Sequence, residues 1–567
     1  MKKRKRDGPN DATRENKPAR ATTRRDFLRT SAAAVAATAL PGCNTDSADA
    51  VAFTGKATDT FDHLLVVMFE NRSLDNLLGY LYEPGNVPRD QTFNGVAGKT
   101  LTNPVPPYVD DGHTTVTVRM SPGTDADMSN PNPDPGEEWQ HVNTQLYDIV
   151  DPPSNERIPA EQMTAPYNAP ASGQAPTMNG FVHDYVSNYY AINNKLPTFD
   201  QYRIIMDCFG PQSMPVLSTL AQQFAVYDAW FCAVPTMTIP NRSFFHASSS
   251  SGYVVNEPYM KWLSNFAPTI FNRLSDAGIS WRVYYDATQV VPLTALVHSP
   301  MLLPYWKTNF ASMETFYSDV ANGTLPAYAF VEPRMIFNHN DMHPPAPLSP
   351  DFPIGATSDI RAGDLLLHQI YSAVRTSKAI GGSNALNTLM LVTFDEHGGT
   401  YDHVAPGPAV TPDILQGPGE FGFLFDRLGL RVPAIAISAY TRASTVVNRT
   451  VNHAAVIRTL CQKFGLPHLT QRDRTAPDLS DAINLALPRP PRSWPVTVPR
   501  PVPPSMLNTD PTSPELARRP LNPLERHIVG LAMAQFNKVE PTPDQIPTTV
   551  GAAHALLSTL AQGAFGL

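Results

Sequence analysis

The chain has 567 residues, of which 42% are apolar and 17% charged, proportions that are typical of a globular protein and exclude a disordered one. Residues 1–42 hold eleven Lys or Arg against four Asp or Glu, so the net charge of −8 leaves −15 on the remainder. This acidic balance argues against a nucleic-acid partner.

The N-terminal segment has the pattern of an export signal. Residues 23–28 (TRRDFL) precede a short alanine-rich run at 31–40, which resembles a twin-arginine (Tat) signal and is too short to span a membrane. Two cleavage sites compete: a lipoprotein-like box ending at Cys43 and an ordinary site at 48–50 (ADA). We therefore expect residues 1–50 to direct export. The mature protein would be periplasmic, extracellular or anchored as a lipoprotein, with peripheral membrane contact through lipidated Cys43.

The first buried element is predicted at residues 64–69 (LLVVMF), an apolar run typical of a strand buried on both faces of a parallel sheet. The run stops at Glu70 and Asn71. Ligands of open α/β sheets bind outside the carboxyl ends of the strands, so these two hard oxygen ligands suit a divalent metal. The alternative is an ordinary capped turn.

Further strands and helices are predicted in alternation along the chain, which favours an α/β fold with a largely parallel sheet. Residues 101–174, rich in Pro, Gly, Asp and Asn, predict a long excursion over the active face. Asp364 is expected to cap a helix that carries Leu366, Ile370 and Val374 on one face. The predicted strands are 224–227, 281–285, 327–331, 388–394 and 434–438, and other predicted helices are 214–223 and 453–464.

Three later clusters carry chemistry. Asp395 and Glu396 end the strand 388–394, so they are expected to converge with Glu70 and Asn71 on one cation. In the proline-bracketed loop 234–243, Thr238 is a candidate nucleophile.

Arg242, in the same loop, is a candidate phosphate clamp. After the strand 327–331, the dense acids and histidines of 338–344 suit proton transfer or a second metal position. For each of these clusters the alternative is a solvated polar loop.

The C-terminal region differs in character. Residues 488–523 contain twelve prolines, which predicts an extended strap, and two short helical patterns follow near 524–536 and 550–561. We assign 51–487 to a catalytic domain and 488–567 to a C-terminal extension. Cys208 and Cys232 could form a disulfide bridge or remain buried thiols.

Four ordered motifs identify a resemblance: ENRSLD at 70–75, TIPNR at 238–242, NDMHP at 340–344 and DEHGGTYDHV at 395–404. Together they resemble the phosphoesterase family that contains bacterial and plant non-specific phospholipases C and a metal-dependent acid phosphatase. The resemblance covers about residues 61–485. It implies an alkaline-phosphatase-like three-layer α/β/α sandwich with long loop insertions and a C-terminal extension.

The resemblance also implies roles for individual residues. Thr238 takes the nucleophile position, and a divalent metal ion of unknown identity would be held by Glu70, Asn71, Asp395 and Glu396. Proton transfer or oxyanion binding falls to Asp341, His343 and His403. Arg242 and His339 are expected to contact the substrate, and so is Glu137, although it departs from the family motif.

One departure concerns the substrate. Plant and some bacterial members of the family carry a DPGH motif, whereas residues 134–137 here read DPGE, so Glu137 stands in place of the histidine. An added carboxylate repels a phosphate dianion more than a phosphodiester monoanion. We therefore expect phospholipase C-like cleavage of a phospholipid or small phosphate ester. The alternatives are an acid phosphatase acting on monoesters, a non-catalytic surface binding protein, or a Glu137 that binds a further metal.

Overall fold

The computed structural model describes residues 54–345, 358–415 and 417–566. The expected export signal and Cys43 lie outside the described residues. No helix within the described ranges is both long and apolar enough to cross a membrane. Cys208 and Cys232 are buried free thiols, so the disulfide alternative does not hold.

An eight-stranded sheet forms the centre of the molecule, in the order β13-β6-β12-β11-β1-β10-β8-β9. Its strands are β1 (His63–Phe69), β6 (Ala225–Tyr227), β8 (Trp281–Tyr285), β9 (Phe310–Ser312), β10 (Tyr328–Val331), β11 (Thr388–Phe394), β12 (Ala434–Ile437) and β13 (Thr445–Val447). Short strands outside it are β2 (Thr102–Pro104), β3 (Thr115–Thr117), β4 (Arg119–Met120), β5 (Asp207–Cys208), β7 (Trp230–Phe231) and β14 (Val451–Asn452).

Strand β1 lies inside the sheet, paired in parallel with β11 on one side and β10 on the other. Six of its seven side chains, all but His63, are buried, as the uninterrupted apolar run predicts. Only β12 runs against its neighbours β11 and β6 in this sheet, so the expectation of a largely parallel sheet is confirmed.

Helices cover both faces of the sheet and complete the three-layer α/β/α fold. One layer contains Pro215–Gln223, Met313–Asn322 and Ile360–Thr376, and the other contains Thr238–Ala247, Ile270–Asp276, Leu293–Val297, Ala454–Phe464 and Pro523–Asn537. Further α-helices are Leu74–Leu78, Trp139–Tyr147, Phe181–Asn193, Phe199–Tyr202, Ser299–Leu302, Trp306–Asn309, Gln471–Thr475, Pro504–Leu507 and Val550–Leu560.

The proline-rich excursion has a small apolar cluster of its own. Its helices Trp139–Tyr147 and Phe181–Asn193 pack together through buried side chains such as Val142 and Val182. Tyr401, which follows β11 in the chain, belongs to the same cluster. The excursion is therefore anchored beside the carboxyl end of β11.

The prediction for Asp364 is wrong in its details. The helix begins at Ile360, and its N-cap is Asp359, whose side chain accepts a hydrogen bond from the Arg361 amide. Asp364 lies inside the helix and is buried. Its carboxylate accepts hydrogen bonds from the amides of Val216 and Leu217, at 3.1 and 2.8 Å. It therefore caps the neighbouring helix Pro215–Gln223.

We expect Asp364→Ala to lower the free energy of unfolding by about 1–3 kcal/mol, because it leaves two buried amides without acceptors. Denaturant unfolding measures the loss. Glu314→Ala, an exposed acid in the first turn of another helix of the same layer, is the control and should change stability by less than about 0.5 kcal/mol. Equal effects of the two substitutions would contradict the capping role.

Candidate active site

The site begins where two neighbouring strands end. Because β1 and β11 pair in parallel up to Phe69 opposite Phe394, the next residues along both strands emerge at one edge of the sheet. The amide of Asp395 extends the ladder by donating to the Phe69 carbonyl at 3.1 Å. The carboxyl groups of Glu70 and Asp395 consequently lie close enough for the charge of Asp395 to raise the pKa of Glu70.

Asn71 turns the chain across this edge. Its φ of 57° lies in the left-handed region, which asparagine tolerates better than most residues. Its amide donates to Asp395 Oδ1 at 3.1 Å, and its side-chain Nδ2 donates to Glu137 Oε2. Gly398 must approach closely here, since a Cβ at that position would lie 2.3 Å from the Asn71 carbonyl oxygen.

Glu137 forms a second acidic pair beside the first. Its carboxyl group lies within hydrogen-bonding distance of Glu396, and its side chain is buried. Glu396 is held in turn by the Gly398 amide at 2.7 Å. His141, four residues after Glu137, bonds Asp184 at 2.7 Å and does not take the place of the absent motif histidine.

Thr238 lies against both elements of the site. It is the first residue of the helix Thr238–Ala247 and is buried. Its hydroxyl donates to Glu70 Oε2 at 3.1 Å and lies 3.4 Å from Asn71 Oδ1. The positive end of the helix dipole at Thr238 favours a negative charge beside the hydroxyl.

Arg242 lies one helical turn after Thr238 and faces the same acids. Its Nε donates to Glu70 Oε1 at 2.7 Å and lies 3.5 Å from Asp395 Oδ2, while Nη2 bonds the Met68 carbonyl at 3.4 Å. Within the described residues, Nη1 is buried without a hydrogen-bond partner. The guanidinium thus provides positive charge beside Glu70 and Asp395. The phosphate contact expected of Arg242 stays a prediction, and Nη1 is the atom that could make this contact.

Burial raises the pKa of each of the four carboxyl groups in the cluster. The effect is large for Glu70, Glu137 and Glu396, and Arg242 opposes it at Glu70 and at Asp395. Ionised carboxylates packed this closely in a dry site require a shared proton or a cation.

The donor set fits a divalent metal ion. Among the described residues, Asp395 Oδ2 and Glu396 Oε1 are buried without hydrogen-bond partners. Together with the oxygens of Glu70 and Asn71, they are hard ligands of the kind that Mg²⁺ and Ca²⁺ prefer. The set therefore consists of one amide, that of Asn71, and three carboxyl groups. Glu70 and Asp395 form one carboxyl pair, and Glu396 belongs to the other pair with Glu137.

Tighter sets of three potential ligands occur elsewhere. In the part of the chain that the structure describes, the sets whose ligand atoms lie within 4.8 Å of one another are Asp75, Asp402 and His403, and Cys461, His468 and Asp473. The first set already contacts a cation, because Arg431 Nη2 bonds Asp75 Oδ1 and Arg431 Nε bonds Asp402 Oδ1, both at 2.9 Å.

His403 belongs to this arginine network, and its predicted catalytic role stays a prediction. Its Nδ1 bonds Asp75 at 2.5 Å, and its Nε2 lies 2.8 Å from Lys99 Nζ and 3.0 Å from Asn94 Oδ1. Among the described residues, none of its hydrogen-bond partners is one of the four acids around Thr238, which are Glu70, Glu137, Asp395 and Glu396. The ring braces the loop that follows β11.

His339 bonds two carboxylates, and its predicted role in substrate binding stays a prediction. Its Nδ1 bonds Asp341 Oδ2 at 2.8 Å and its Nε2 bonds Glu525 Oε1 at 2.9 Å, so both ring nitrogens are occupied. The Asp341 carbonyl accepts a hydrogen bond from the Glu70 amide at 2.8 Å, which joins this loop to the site.

His343 has one free ring nitrogen. Its Nδ1 donates to the Pro344 carbonyl at 2.6 Å, which leaves Nε2 as the unprotonated nitrogen of a neutral ring. In the described parts of the chain, Nε2 has no hydrogen-bond partner and lies 3.7 Å from Asp134 Oδ2. Burial lowers the pKa of His343 to about 4, so the ring is neutral at pH 7.

Three residues beside the cluster were missed by the sequence analysis. Asp134, three residues before Glu137, faces the site, and the DPG motif offered a signal for it. His397 lies 3.2 Å from Glu396 Oε2 inside the fourth motif. His453 donates from Nε2 to the Asp395 carbonyl at 2.6 Å, and no pattern around it indicates such a contact.

Comparisons with known proteins show the family of the chain. The model of the Phosphoesterase family matches residues 61–467. Non-specific phospholipase C3 of Arabidopsis thaliana is 31% identical over 458 residues, covering 78% of this chain and 77% of the plant protein. Phospholipase C B of Mycobacterium tuberculosis is 28% identical over 513 residues, covering 83% and 87% of the two chains.

Solved structures are more distantly similar. An alkaline phosphatase superfamily protein from Vibrio parahaemolyticus is 13% identical, with a TM-score of 0.29, and covers 59% of this chain and 84% of that one. The lipoteichoic acid synthase LtaP from Listeria monocytogenes is 11% identical, with a TM-score of 0.30, and covers 48% and 70%.

We expect Arg242→Met to destabilise the fold by about 3–5 kcal/mol, because it leaves Glu70 and Asp395 buried without their cationic partner. Adding Glu70→Gln should recover part of the loss. Thermal and denaturant unfolding give both values.

The control is Arg449→Met, which removes an exposed arginine paired with Asp481 and should cost less than about 1 kcal/mol. An Arg242→Met protein as stable as the control would show that the buried acids do not depend on Arg242.

Proposed function

The chain belongs to the Phosphoesterase family and is a phosphoric ester hydrolase, and from this premise we propose that it is a phospholipase C-like phosphodiesterase with Thr238 as its nucleophile. The observation that carries the proposal is the position of the Thr238 hydroxyl, at a helix N-terminus and 3.1 Å from Glu70 Oε2. A nucleophile needs a proton acceptor and a site for the attacked phosphate, and this position offers both.

In the proposed reaction, Thr238 Oγ attacks phosphorus and the bond from phosphorus to the diacylglycerol oxygen breaks. The hydroxyl proton passes to Glu70 Oε2 and then to the departing oxygen. Water next attacks the phosphothreonine and gives a proton to His343 Nε2. The bond from phosphorus to Thr238 Oγ breaks, His343 returns that proton to Oγ, and the phosphorylated headgroup leaves. The N-terminus of the Thr238–Ala247 helix stabilises the negative phosphoryl oxygens throughout.

A divalent metal ion is part of the proposal. Glu70, Asn71, Asp395 and Glu396 would hold it. When bound, it would offset the buried negative charge and lower the pKa of the Thr238 hydroxyl. Its identity is left open.

A cavity next to the nucleophile supports a cationic headgroup on the substrate. It has a volume of about 230 Å³ and is lined by Met237, the residue before Thr238, and by Glu138, the residue after Glu137. Two further acids and two aromatic rings also line it: Glu161, Glu257, Tyr167 and Phe421. Carboxylates with aromatic faces bind alkylammonium groups well.

Replacing Glu161 with Gln should therefore raise KM for a phosphorylcholine ester, because it removes one of these carboxylates. KM for a neutral ester should stay unchanged.

The monoester alternative depends on Glu137. With one proton shared between them, Glu137 and Glu396 still carry one negative charge beside the site, which disfavours a dianionic monoester. Hydrolysis of para-nitrophenylphosphorylcholine against para-nitrophenyl phosphate, with and without a chelator, tests the diester preference and the metal together. Absence of turnover on both esters in the presence of divalent metals would instead favour the non-catalytic binding protein.

We further propose export through the twin-arginine route, on the strength of residues 23–28. Replacing Arg24 and Arg25 with Lys keeps the charge and should retain the precursor in the cytoplasm. Export of that variant at the wild-type level would exclude this route. A Cys43→Ser variant that stays bound to the membrane would likewise exclude lipidation.

Thr238→Ala should lower kcat by about 10⁴-fold or more while Tm changes little, since the substitution removes the nucleophile and one hydroxyl. Thr236→Ala is the matched control: its hydroxyl is also buried but bonds the Val254 carbonyl at 2.7 Å. Turnover that survives in Thr238→Ala and disappears in Thr236→Ala would move the nucleophile to Thr236.

Glu137→His should raise monoester activity relative to diester activity at pH 7 by about fivefold. This factor corresponds to about 1 kcal/mol of relieved repulsion per unit of substrate charge, a third of the roughly 3 kcal/mol expected at 6 Å with an effective dielectric of 20. The measurement is the ratio of kcat/KM on the two aryl esters, with the exposed Glu314→His as control. A ratio that stays at the wild-type value would remove the charge argument for diesters.

A further inference from the structure

Three consecutive residues of the loop after β10 are held by the C-terminal segment. The Phe337 amide donates to Glu525 Oε1 at 2.9 Å, and the Phe337 carbonyl accepts from Arg519 Nη2 at 2.8 Å. The Asn338 side chain donates to backbone carbonyls of the same segment. His339 Nε2 bonds Glu525 Oε1 at 2.9 Å. One carboxylate, that of Glu525, thus reaches both ends of this short stretch.

The stretch is conformationally demanding. Phe337 has φ 71°, a left-handed conformation that a bulky side chain disfavours and that persists only where the surroundings fix it. Both backbone polar groups of Phe337 are fixed by Glu525 and Arg519. Met342, later in the loop, has φ 74°, and its carbonyl is held by Arg72 Nε at 2.8 Å. The loop is therefore supported at both ends.

His339 connects this support to the site. Carboxylates lie 2.8 and 2.9 Å from its two ring nitrogens, and Asn522 Nδ2 lies 3.1 Å from Nε2. With both nitrogens protonated, the ring donates to both carboxylates. Burial alone would lower the pKa of His339, but Asp341 and Glu525 outweigh burial and raise the pKa to about 9. The ring donates to Asp341, whose Oδ1 accepts the His343 amide at 3.0 Å and whose carbonyl receives the Glu70 amide.

We propose that Glu525 is a positioning residue for the reaction: it fixes His339 as a doubly protonated ring against Asp341 and so holds the loop that carries His343 in its working position. Glu525 lies in the first turn of the helix Pro523–Asn537, beyond residue 467, where the family match ends. The C-terminal segment thereby contributes to catalysis without touching the substrate.

The test uses the full chain and the para-nitrophenyl ester that the wild type cleaves. Glu525→Gln keeps the size of the side chain and removes its charge, and we expect kcat to fall about tenfold while KM changes less than about twofold. Because Glu525 acts through His339, the double variant Glu525→Gln/His339→Gln should lose no more kcat than His339→Gln alone. Additive losses, or a wild-type kcat in Glu525→Gln, would overturn the proposal.

Leu531→Ala is the control for simple loosening of the helix. Leu531 is buried in the same helix, so its truncation should lower Tm at least as much as Glu525→Gln while kcat stays within about twofold of wild type. An equal fall in kcat in this control would show that the effect is structural. If Glu525→Gln does not fold, Glu525→Asp is the substitute. Its shorter side chain keeps a carboxylate near Arg519 but moves it away from His339, so we expect the same fall in kcat.

The His339 ring itself gives a readout that does not depend on turnover. Its ¹⁵N signals, assigned by their loss in His339→Gln, should show two protonated nitrogens at pH 7 in the wild type and a neutral ring in Glu525→Gln. A neutral ring in the wild type would overturn the proposal. The proposed phospholipase activity concerns the wild type on the two esters, so its failure is distinguishable from failure of the role of Glu525.

Discussion

The parallel pairing of β1 with β11 is the constraint on which the site depends. It brings Glu70 and Asp395 together at the buried edge of the sheet, where two carboxylates repel each other and have lost their hydration. Arg242 offsets this repulsion, since its guanidinium bonds Glu70 directly. Thr238 precedes Arg242 by four residues on one helix, so both side chains face the acids. The nucleophile is thus fixed by the same helix that supplies the counter-charge.

A second buried ion network braces the same two loops. Asp75 follows β1 and Asp402 follows β11, and Arg431 bonds both carboxylates. The loops are therefore joined twice, once by the acids around Thr238 and once by Arg431. This accounts for acids and a histidine in the first and fourth motifs that bond one another: among the described residues, His403 bonds Asp75 and none of the acids around Thr238. These two motifs therefore contain residues that hold the loops in place as well as candidates for the chemistry.

The sequence predicted those parts of the structure that depend on local patterns. Two apolar runs ending in hard oxygen ligands suffice to place Glu70 beside Asp395, because parallel strands end at a common edge. The burial of Glu137 was not predictable in this way, since it depends on how the long proline-rich excursion packs on the loop after β11. Asp364 shows the same limit: a local pattern can suggest a cap, but which helix it caps is decided by tertiary packing. The role of His339 required knowledge of Glu525, which lies 186 residues away in the chain.

The C-terminal segment is best understood through charge balance. Asp341 and Glu525 flank His339, and Arg519 bonds Glu525 on its far side at 2.9 Å. With His339 protonated, two positive and two negative charges alternate through the protein interior, so no carboxylate is left without a cationic neighbour. Removing Glu525 and Arg519 together would leave His339 with a single acidic partner and the Phe337 backbone without its two hydrogen bonds. The residues that match the family model therefore lack part of this charge network. Glu525 and Arg519, which complete it, belong to the segment after residue 488.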